Sequence, residues 1–357
     1  MVFFSEMISV KNGVKQGGIL SPILFCIYFD NLINKLVNSS VGCYMGHLCL
    51  AVLAYADYVV ILAPTASAAG HLLSLCDELA VEFDVKFNAA KSKCIYFPPL
   101  SHYILHKSGT KPCFSVGGSV IDYADSWPHL GHILNNHNTD CDDIINRRNV
   151  LVRQANDVIC YFAKLSPVVK LRLLYSYCSS LYGAELWNLN SPELAAIGVS
   201  WRKALKRVWN LPFGTHSHIL YALCGKWSIE DEVRRRCLRF IVSCLSSNCS
   251  IVRDVVKMCF TSFPATSLLG SNVLYCASEY NANISDLLHC NTDSVSNILE
   301  RSYFCNICNC RDFNAGKVLP NRDLLFILET LFARDRSFYI DFNYQQLQDI
   351  IISLCTN

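Results

Sequence analysis

The chain has 357 residues, of which 52 % are apolar and 17 % charged, with 16 glycines and 11 prolines. This composition excludes a disordered, collagen-like or low-complexity chain, and the length predicts two or three domains of about 100–200 residues each. The net charge of +2 is unevenly spread, because residues 147–239 carry 15 basic and 6 acidic side chains. That segment indicates a polyanionic partner such as nucleic acid, with a solvated helical face as the alternative.

The first hundred residues alternate between helical and strand-like patterns. Ser21 and Pro22 predict a helix start, because serine caps a helix N-terminus and proline fits its first turn. Two later runs rich in Val, Ile, Leu and Tyr predict strands joined by a bend at residues 54–57. From hydrophobic periodicity, the predicted elements are a helix at 21–37, strands at 47–53 and 58–62, a helix at 67–83 and a strand at 93–97.

The rest of the chain changes from short strands to helices. Glycines at 117, 118 and 131 mark turns between short strands within residues 101–135, and residues 135–140 are the predicted linker. Helical periodicity dominates after it, so the order is α+β first and all-α second. The predicted helices are 142–163, 167–181, 191–209 and 228–245, followed by weaker helical patterns.

Four segments resemble, in order and approximate spacing, the reverse transcriptases of non-long-terminal-repeat, LINE-like retrotransposons. They are the glycine loop with its helix (13–25, GVKQGGILSPILF), the catalytic hairpin (54–62, AYADYVVIL), the lysine segment (88–97, NAAKSKCIYF) and the primer-grip-like hairpin (127–133, WPHLGHI). Farther on, residues 182–187 (YGAELW) and 201–209 (WRKALKRVW) resemble the helical thumb and connection of the same proteins.

The resemblance implies an α+β fold containing part of a right-hand polymerase. Residues 1–135 would form a partial palm, residues 140–245 a basic helical thumb or connection, and residues 246–357 a helical C-terminal region of unknown role. The implied activity is RNA-directed DNA polymerisation on an RNA template with a DNA primer, using Mg²⁺. The sequence leaves the oligomeric state open.

The catalytic hairpin departs from the pattern of that family. Polymerisation uses two divalent cations about 3.5–4 Å apart, and the family supplies an upstream aspartate and two adjacent ones at the hairpin. Here Asp57 stands at the first hairpin position and Tyr58 at the second. A phenol with a pKa near 10 is a poor Mg²⁺ ligand at neutral pH. Only twelve residues precede Gly13, so we expect an N-terminally truncated domain that lacks the upstream aspartate. With one carboxylate in place of three, we expect the chain to be catalytically inactive.

Other site residues follow from the resemblance alone. Gln16 and Gly17 match the loop that contacts template and incoming nucleotide, with an ordinary glycine turn as the alternative. Tyr55 matches the residue near the primer end, with strand packing as the alternative. Lys91 matches the lysine that protonates or neutralises the leaving pyrophosphate, with a solvated lysine as the alternative. Asp57 remains the one predicted metal ligand and catalytic carboxylate, with an orphan carboxylate at an exposed bend as the alternative.

The basic segment contains two clusters with helical spacing. Arg202, Lys203, Lys206 and Arg207 cover one side of a predicted helix, and Arg234, Arg235, Arg236 and Arg239 form the second cluster. Such stripes suit sequence-independent contact with a phosphate backbone. The helical spacing of Trp201 and Trp209 favours burial in the core over stacking on bases.

The 20 cysteines make up about 6 % of the chain, below the level of about 8–10 % typical of disulfide scaffolds. No basic region followed by an apolar one begins the chain, so we expect reduced thiols in an intracellular protein, in either nucleus or cytoplasm. Residues 48–64, the longest apolar window, are too few to span a bilayer. Cys305, Cys308 and Cys310 form a dense cluster, but zinc needs four ligands, so unligated thiols are the favoured interpretation.

Three functional hypotheses remain open on the sequence. The favoured one is a catalytically inactive reverse-transcriptase-domain protein that retains nucleic-acid binding. The second is an active RNA-directed DNA polymerase completed by a carboxylate that these motifs do not reveal. The third is a relic, or a fragment of a longer reading frame, without a function of its own.

Overall fold

The computed structural model describes residues 17–98, 111–215 and 227–285, together with residues 13, 217, 220 and 224. The described chain divides into two compact units. The first, called here the N-terminal unit, comprises residues 1–127 and 135–138, and the second, the helical unit, comprises residues 128–134 and 139–357. Because both helices and strands are present, the chain is of the α+β class.

Short strands and two long helices make up the N-terminal unit. Strands β1 and β2 pair, β3 and β4 pair antiparallel, and β5, β7 and β6 form a three-stranded sheet in that order. The elements are α1 (Ser21–Asn38), β1 (Tyr44–Met45), β2 (Leu48–Cys49), β3 (Val52–Tyr55), β4 (Tyr58–Ile61), α2 (Ala66–Glu82), β5 (Lys93–Cys94), β6 (Phe114–Val116) and β7 (Ser119–Tyr123).

Helices dominate the rest of the described chain. A two-stranded hairpin of β8 (Ser126–His129) and β9 (His132–Asn135) precedes them. The helices are α3 (Cys141–Tyr161), α4 (Pro167–Cys178), a short 3₁₀ helix (Ala184–Leu186), α5 (Pro192–Val208), α6 (Ile229–Leu245), α7 (Ser250–Thr261) and α8 (Leu268–Glu279).

The predicted helices agree with the structure more closely than the predicted strands do. Five of them begin and end within two residues of their predicted bounds, whereas α4 ends three residues early, at Cys178. The strand predicted at 47–53 is two strands, because Leu48–Cys49 pairs with Tyr44–Met45 and Val52 begins a separate pairing with β4. The strand predicted at 93–97 is only Lys93–Cys94, the two residues that pair with β7.

The core of the N-terminal unit lies between α1, α2 and the strand β3. It is formed by apolar side chains of these elements: Phe29, Leu32, Leu36, Ala51, Val52, Leu72, Cys76 and Leu79. Gly42 permits this packing, because a Cβ there would lie 2.3 Å from the Cβ of Ala51. The Thr65 side chain caps α2 by accepting a hydrogen bond of 3.1 Å from the backbone N–H of Ala68.

A larger core fills the helical unit. Trp187 and Trp201 are fully buried in it, and Trp209 is 7 % exposed, so the prediction that Trp201 and Trp209 are core residues is confirmed. Serine side chains cap α5, α6 and α8 by accepting backbone N–H groups at the helix start. Each serine cap therefore acts within the first turn of its own helix, whereas the tryptophans pack against side chains of several elements in one core.

The cysteines of the described residues are reduced, and several are buried. All fifteen cysteines there are free thiols. Burial raises the pKa of Cys76, Cys224 and Cys237 to about 12, so these three stay protonated and behave as small apolar side chains. None of the described helices has the length and apolarity that a bilayer crossing requires. The predicted zinc-ligand candidates Cys305, Cys308 and Cys310 lie outside the described residues.

Candidate functional site

The β3–β4 hairpin places Asp57 at its tip. Tyr55 pairs with Tyr58, so Ala56 and Asp57 form a two-residue turn, tighter than the predicted bend at 54–57. Ala56 has a φ of 49°, in the left-handed region that non-glycine residues seldom adopt. Asp57 is exposed, and the tyrosines on either side of the turn are 67 % and 53 % exposed. The hairpin therefore presents one carboxylate between two phenols.

This donor set does not fit a pair of Mg²⁺ ions. Mg²⁺ requires hard oxygen ligands in octahedral array, and two ions held close together need several carboxylates. Across the described parts of the chain, no three His, Cys, Asp or Glu side chains come close enough to hold a metal ion. Tyr58 occupies the position beside Asp57 where a second carboxylate would be required.

The other residues predicted for this site lie on separate loops. Lys91 is exposed in the turn after α2, where its backbone N–H donates to the carbonyl and the side-chain oxygen of Asn88, each at 3.1 Å. Gly17 has a φ of 77° and open space around it. Gln16 lies outside the described residues. Within the described chain no hydrogen bond or ion pair connects Gly17, Tyr55, Asp57 and Lys91, so their joint role stays a prediction.

The four predicted cations of α5 have different surroundings. Arg202 forms an ion pair of 2.8 Å with Glu230 on α6. Lys206 donates to the carbonyl of Phe213 and lies 5.3 Å from the centroid of its ring. Arg207 donates to the Asn156 side chain on α3. Lys203 is exposed and makes no ion pair with a described residue. Their binding of nucleic acid stays a prediction, and Lys203 is the most available of them.

The arginine run of α6 is used inside the protein. Arg234 pairs with Asp231 at 2.8 Å, and Arg235 and Arg236 both pair with Glu232, at 2.7 and 2.9 Å. Arg236 also donates to backbone carbonyls that follow α4. These three arginines are therefore engaged by carboxylates of their own helix, Arg236 also ties α6 to the segment after α4, and their predicted contact with phosphate stays a prediction.

Sequence reasoning missed a buried polar cluster around Asp143, which is fully buried on α3. Its carboxylate accepts hydrogen bonds from the indole N–H of Trp187, at 2.8 Å, and from the backbone N–H of Ile133, at 3.1 Å. The Nδ1 of His132 lies 3.1 Å from the same carboxylate. The cluster therefore joins the hairpin β8–β9, helix α3 and the segment after the 3₁₀ helix.

Charge explains how this cluster is held together. The contact with Asp143 raises the pKa of His132, although burial opposes it. Burial works to raise the pKa of Asp143, but the bonds from His132 and Trp187 outweigh it and lower that pKa. Asp140, whose pKa burial raises, lies 3.9 Å from Nε2 of His132. The Nε atom of Arg147 lies 3.9 Å from a carboxylate oxygen of Asp143.

The cluster also accounts for two sequence motifs. WPHLGHI contributes His132 and YGAELW contributes Trp187, and both contact the one carboxylate of Asp143. His132 and Trp187 lie 11 and 44 residues from Asp143 in the sequence. Because neither separation matches a helix or strand period, no sequence pattern predicts this cluster. The buried carboxylate, which accepts two hydrogen bonds and contacts His132, therefore ties three segments of the chain together and lies out of reach of a substrate.

Comparisons with known proteins agree with the motifs. Residues 4–134 match the family described as "Reverse transcriptase (RNA-dependent DNA polymerase)". The chain is 30 % identical over 128 residues to a "Retrovirus-related Pol polyprotein from type-1 retrotransposable element R2" of Nasonia vitripennis, covering 35 % of this chain and 12 % of that relative. It is 45 % identical over 59 residues to a protein of the same description from Popillia japonica, covering 16 % of this chain and 10 % of that relative.

The family match identifies the kind of domain that residues 4–134 form part of. Residues 4–134 contain a reverse transcriptase domain, in the RNA-directed DNA polymerase family. Both relatives carry the description of a Pol polyprotein from the type-1 retrotransposable element R2, and this chain is similar to a segment of each. The chain spans about a tenth of the length of the curated relatives it matches.

Proposed function

We propose that this 357-residue chain binds nucleic acid through its helical unit and does not itself extend a primer. The observation that carries the proposal is the hairpin tip, where exposed Asp57 is followed by Tyr58 instead of a second carboxylate. Losing metal-mediated stabilisation of about 4 kcal/mol lowers a rate about a thousandfold, since each 1.36 kcal/mol is tenfold.

Within this proposal, residues 1–135 are the partial palm and residues 140–245 the thumb or connection. Two features support it. The hairpin that carries Asp57 is backed by α1 and α2 in one apolar core, and the helices that follow have their own core. The nucleic acid is an RNA template with a DNA primer, by similarity to the relatives, and Mg²⁺ has a role only if the chain is active.

The family match keeps an active polymerase as the second candidate, and one experiment separates the two. The wild-type chain and the Asp57→Asn variant are incubated with a primed RNA template, deoxynucleotides and Mg²⁺, and extension products are resolved on a gel. We expect neither protein to extend the primer above background. Mg²⁺-dependent extension by the wild-type chain that is lost in Asp57→Asn would overturn the proposed inactivity.

Binding is measured on the same preparations. Fluorescence anisotropy of the labelled primed template should show salt-dependent binding by both proteins, because phosphate contacts release counterions. Circular dichroism verifies that both are folded. If the folded wild-type chain leaves the anisotropy unchanged at low salt, the proposed nucleic-acid binding is wrong and the chain has neither function.

A further inference from the structure

A groove runs along the surface of the helical unit between α3 and α5, with a volume of about 650 Å³. Its lining residues on α3 recur at i, i+1, i+4, i+5, i+8 and i+9 from Arg148, and those on α5 at i, i+3, i+4 and i+7 from Ala196, so each helix contributes one continuous face. The side chains that bear on its chemistry are Arg148, Arg153, Asp157, Val199, Ser200 and Lys203.

The cations of this groove differ from their neighbours in the same unit. Arg148, Arg153 and Lys203 form no ion pair with any described residue, whereas Arg202, Arg234, Arg235 and Arg236 all do. Asp157 is the one acidic side chain in the lining. The groove therefore carries net positive charge that the described protein does not neutralise.

We propose that this groove binds the phosphodiester backbone of nucleic acid, with Arg148, Arg153 and Lys203 as its phosphate contacts. The inference rests on the proposed nucleic-acid binding and gives it a location. Two of these three residues lie on α3, outside the clusters that the sequence singles out. Arg207 extends the same surface, because it donates to Asn156, another lining residue.

The dimensions of the groove suit a single strand or one strand of a duplex. From Arg148 to Asp157 the axis of α3 advances about 13 Å, which corresponds to about four phosphates of one strand. The lining combines these cations with polar Asn149 and Ser200 and apolar Val152 and Val199. No aromatic side chain lines it, so bases have no stacking platform and the binding is independent of sequence.

The test compares two charge-matched triple variants of the full chain. The groove variant is Arg148→Gln, Arg153→Gln and Lys203→Gln. The control variant is Lys164→Gln, Arg172→Gln and Lys257→Gln, three exposed cations of the helical unit outside the groove. Affinity for labelled single-stranded RNA and for an RNA–DNA hybrid is measured by anisotropy at several salt concentrations, after thermal melts show that both variants fold.

We expect the groove variant to lose at least tenfold in affinity at low salt and the control variant less than threefold. The slope of log K against log salt should decrease by about 2 for single-stranded RNA and by nearly 3 for a duplex, as three lost phosphate contacts require. Equal losses in both variants, or an unchanged slope, would contradict the groove while leaving the proposed nucleic-acid binding intact. If the wild-type chain binds neither nucleic acid, the groove proposal and the proposed nucleic-acid binding are both wrong. If it then binds a polyglutamate peptide, and the groove variant does not, the groove is a site for acidic proteins instead.

Discussion

The β3–β4 hairpin and the helix pair α3–α5 place their chemically useful side chains in opposite settings. At the hairpin, Asp57 is exposed at the tip of a two-residue turn, and among the described residues it belongs to no group of three or more His, Cys, Asp or Glu side chains that could hold a metal ion. On α3, Asp143 is fully buried, accepts two hydrogen bonds and contacts His132, while Arg148 and Arg153 on the same helix line the groove and form no ion pair with a described residue. The N-terminal unit, which carries the hairpin, thus offers one exposed carboxylate, whereas the helical unit holds a buried polar cluster and unpaired surface cations.

The two units also differ in how completely they bury their apolar side chains. In the N-terminal unit α1 leaves a run of apolar side chains on one side, with Ile23 57 % and Ile27 65 % exposed. In the helical unit Trp187 and Trp201 have no exposed surface. The hairpin motif marks where catalysis is expected, whereas the fully buried tryptophans and the unpaired cations lie in the helices that follow.

The largest expected effect is on packing in the helical unit. Trp201→Ala removes a fully buried indole and should lower the free energy of unfolding by about 3–5 kcal/mol. Tyr55→Ala in the hairpin removes a ring that is 67 % exposed and should change it by less than about 0.5 kcal/mol. Urea unfolding followed by circular dichroism measures both. Similar losses for the two variants would remove the contrast between the units.

Next in size is the buried carboxylate. Asp143→Ala leaves the indole N–H of Trp187 and the backbone N–H of Ile133 without their acceptor, and should cost about 3 kcal/mol. Asp142→Ala, an exposed neighbour on the same helix, is the matched control. Unfolding curves for both variants decide the point, since equal curves would show that the cluster contributes nothing to stability.

The helices could be predicted from the sequence, and the charge pairing could not. Apolar periodicity acts within a few residues, so the bounds of α1 and α5 and the burial of Trp201 follow from local pattern. Ser191 caps α5 as its position suggests, but the prediction that Ser21 caps α1 is wrong, because Ser21 is the first helical residue and no side chain caps that end. Helical spacing places Arg202 beside the other predicted phosphate contacts of α5, but its ion-pair partner Glu230 lies on another helix. His132, Asp143 and Trp187 come from three distant segments, so only the folded chain brings them together. Arg148 and Arg153 lie on one predicted helix, but the groove that they share with Lys203 exists only because α3 packs against α5.

A smaller effect is expected from pH. The pKa of His132 is raised above its ordinary value of 6.5, so its stabilising contribution is full below pH 6.5 and is lost as the pH rises through the raised pKa. The charged groups that face it are Asp140, Asp143 and Arg147. His132→Gln should therefore flatten this loss of stability, whereas His47→Gln, an exposed histidine of the N-terminal unit, should not. Thermal melts between pH 5 and pH 9 test this, and parallel curves for His132→Gln and the wild-type chain would disprove it.

The smallest effect is expected at the ion pair between α5 and α6. Arg202→Gln should lower the free energy of unfolding by about 1 kcal/mol, because the pair is only partly buried. It should also leave the affinity for RNA within about threefold of wild type, since Arg202 is engaged by Glu230. Anisotropy against the same labelled RNA measures this. A tenfold loss in Arg202→Gln would show that the pair opens to bind phosphate.

The most direct measurement of the contrast between the two regions is hydrogen exchange of the full chain with and without a primed RNA template. We predict slower exchange in α3 and α5 on binding, and unchanged exchange in the hairpin at residues 52–61. Protection of the hairpin with no change in α3 and α5 would contradict this account, because nucleic acid would then occupy the polymerase motif and not the basic helices.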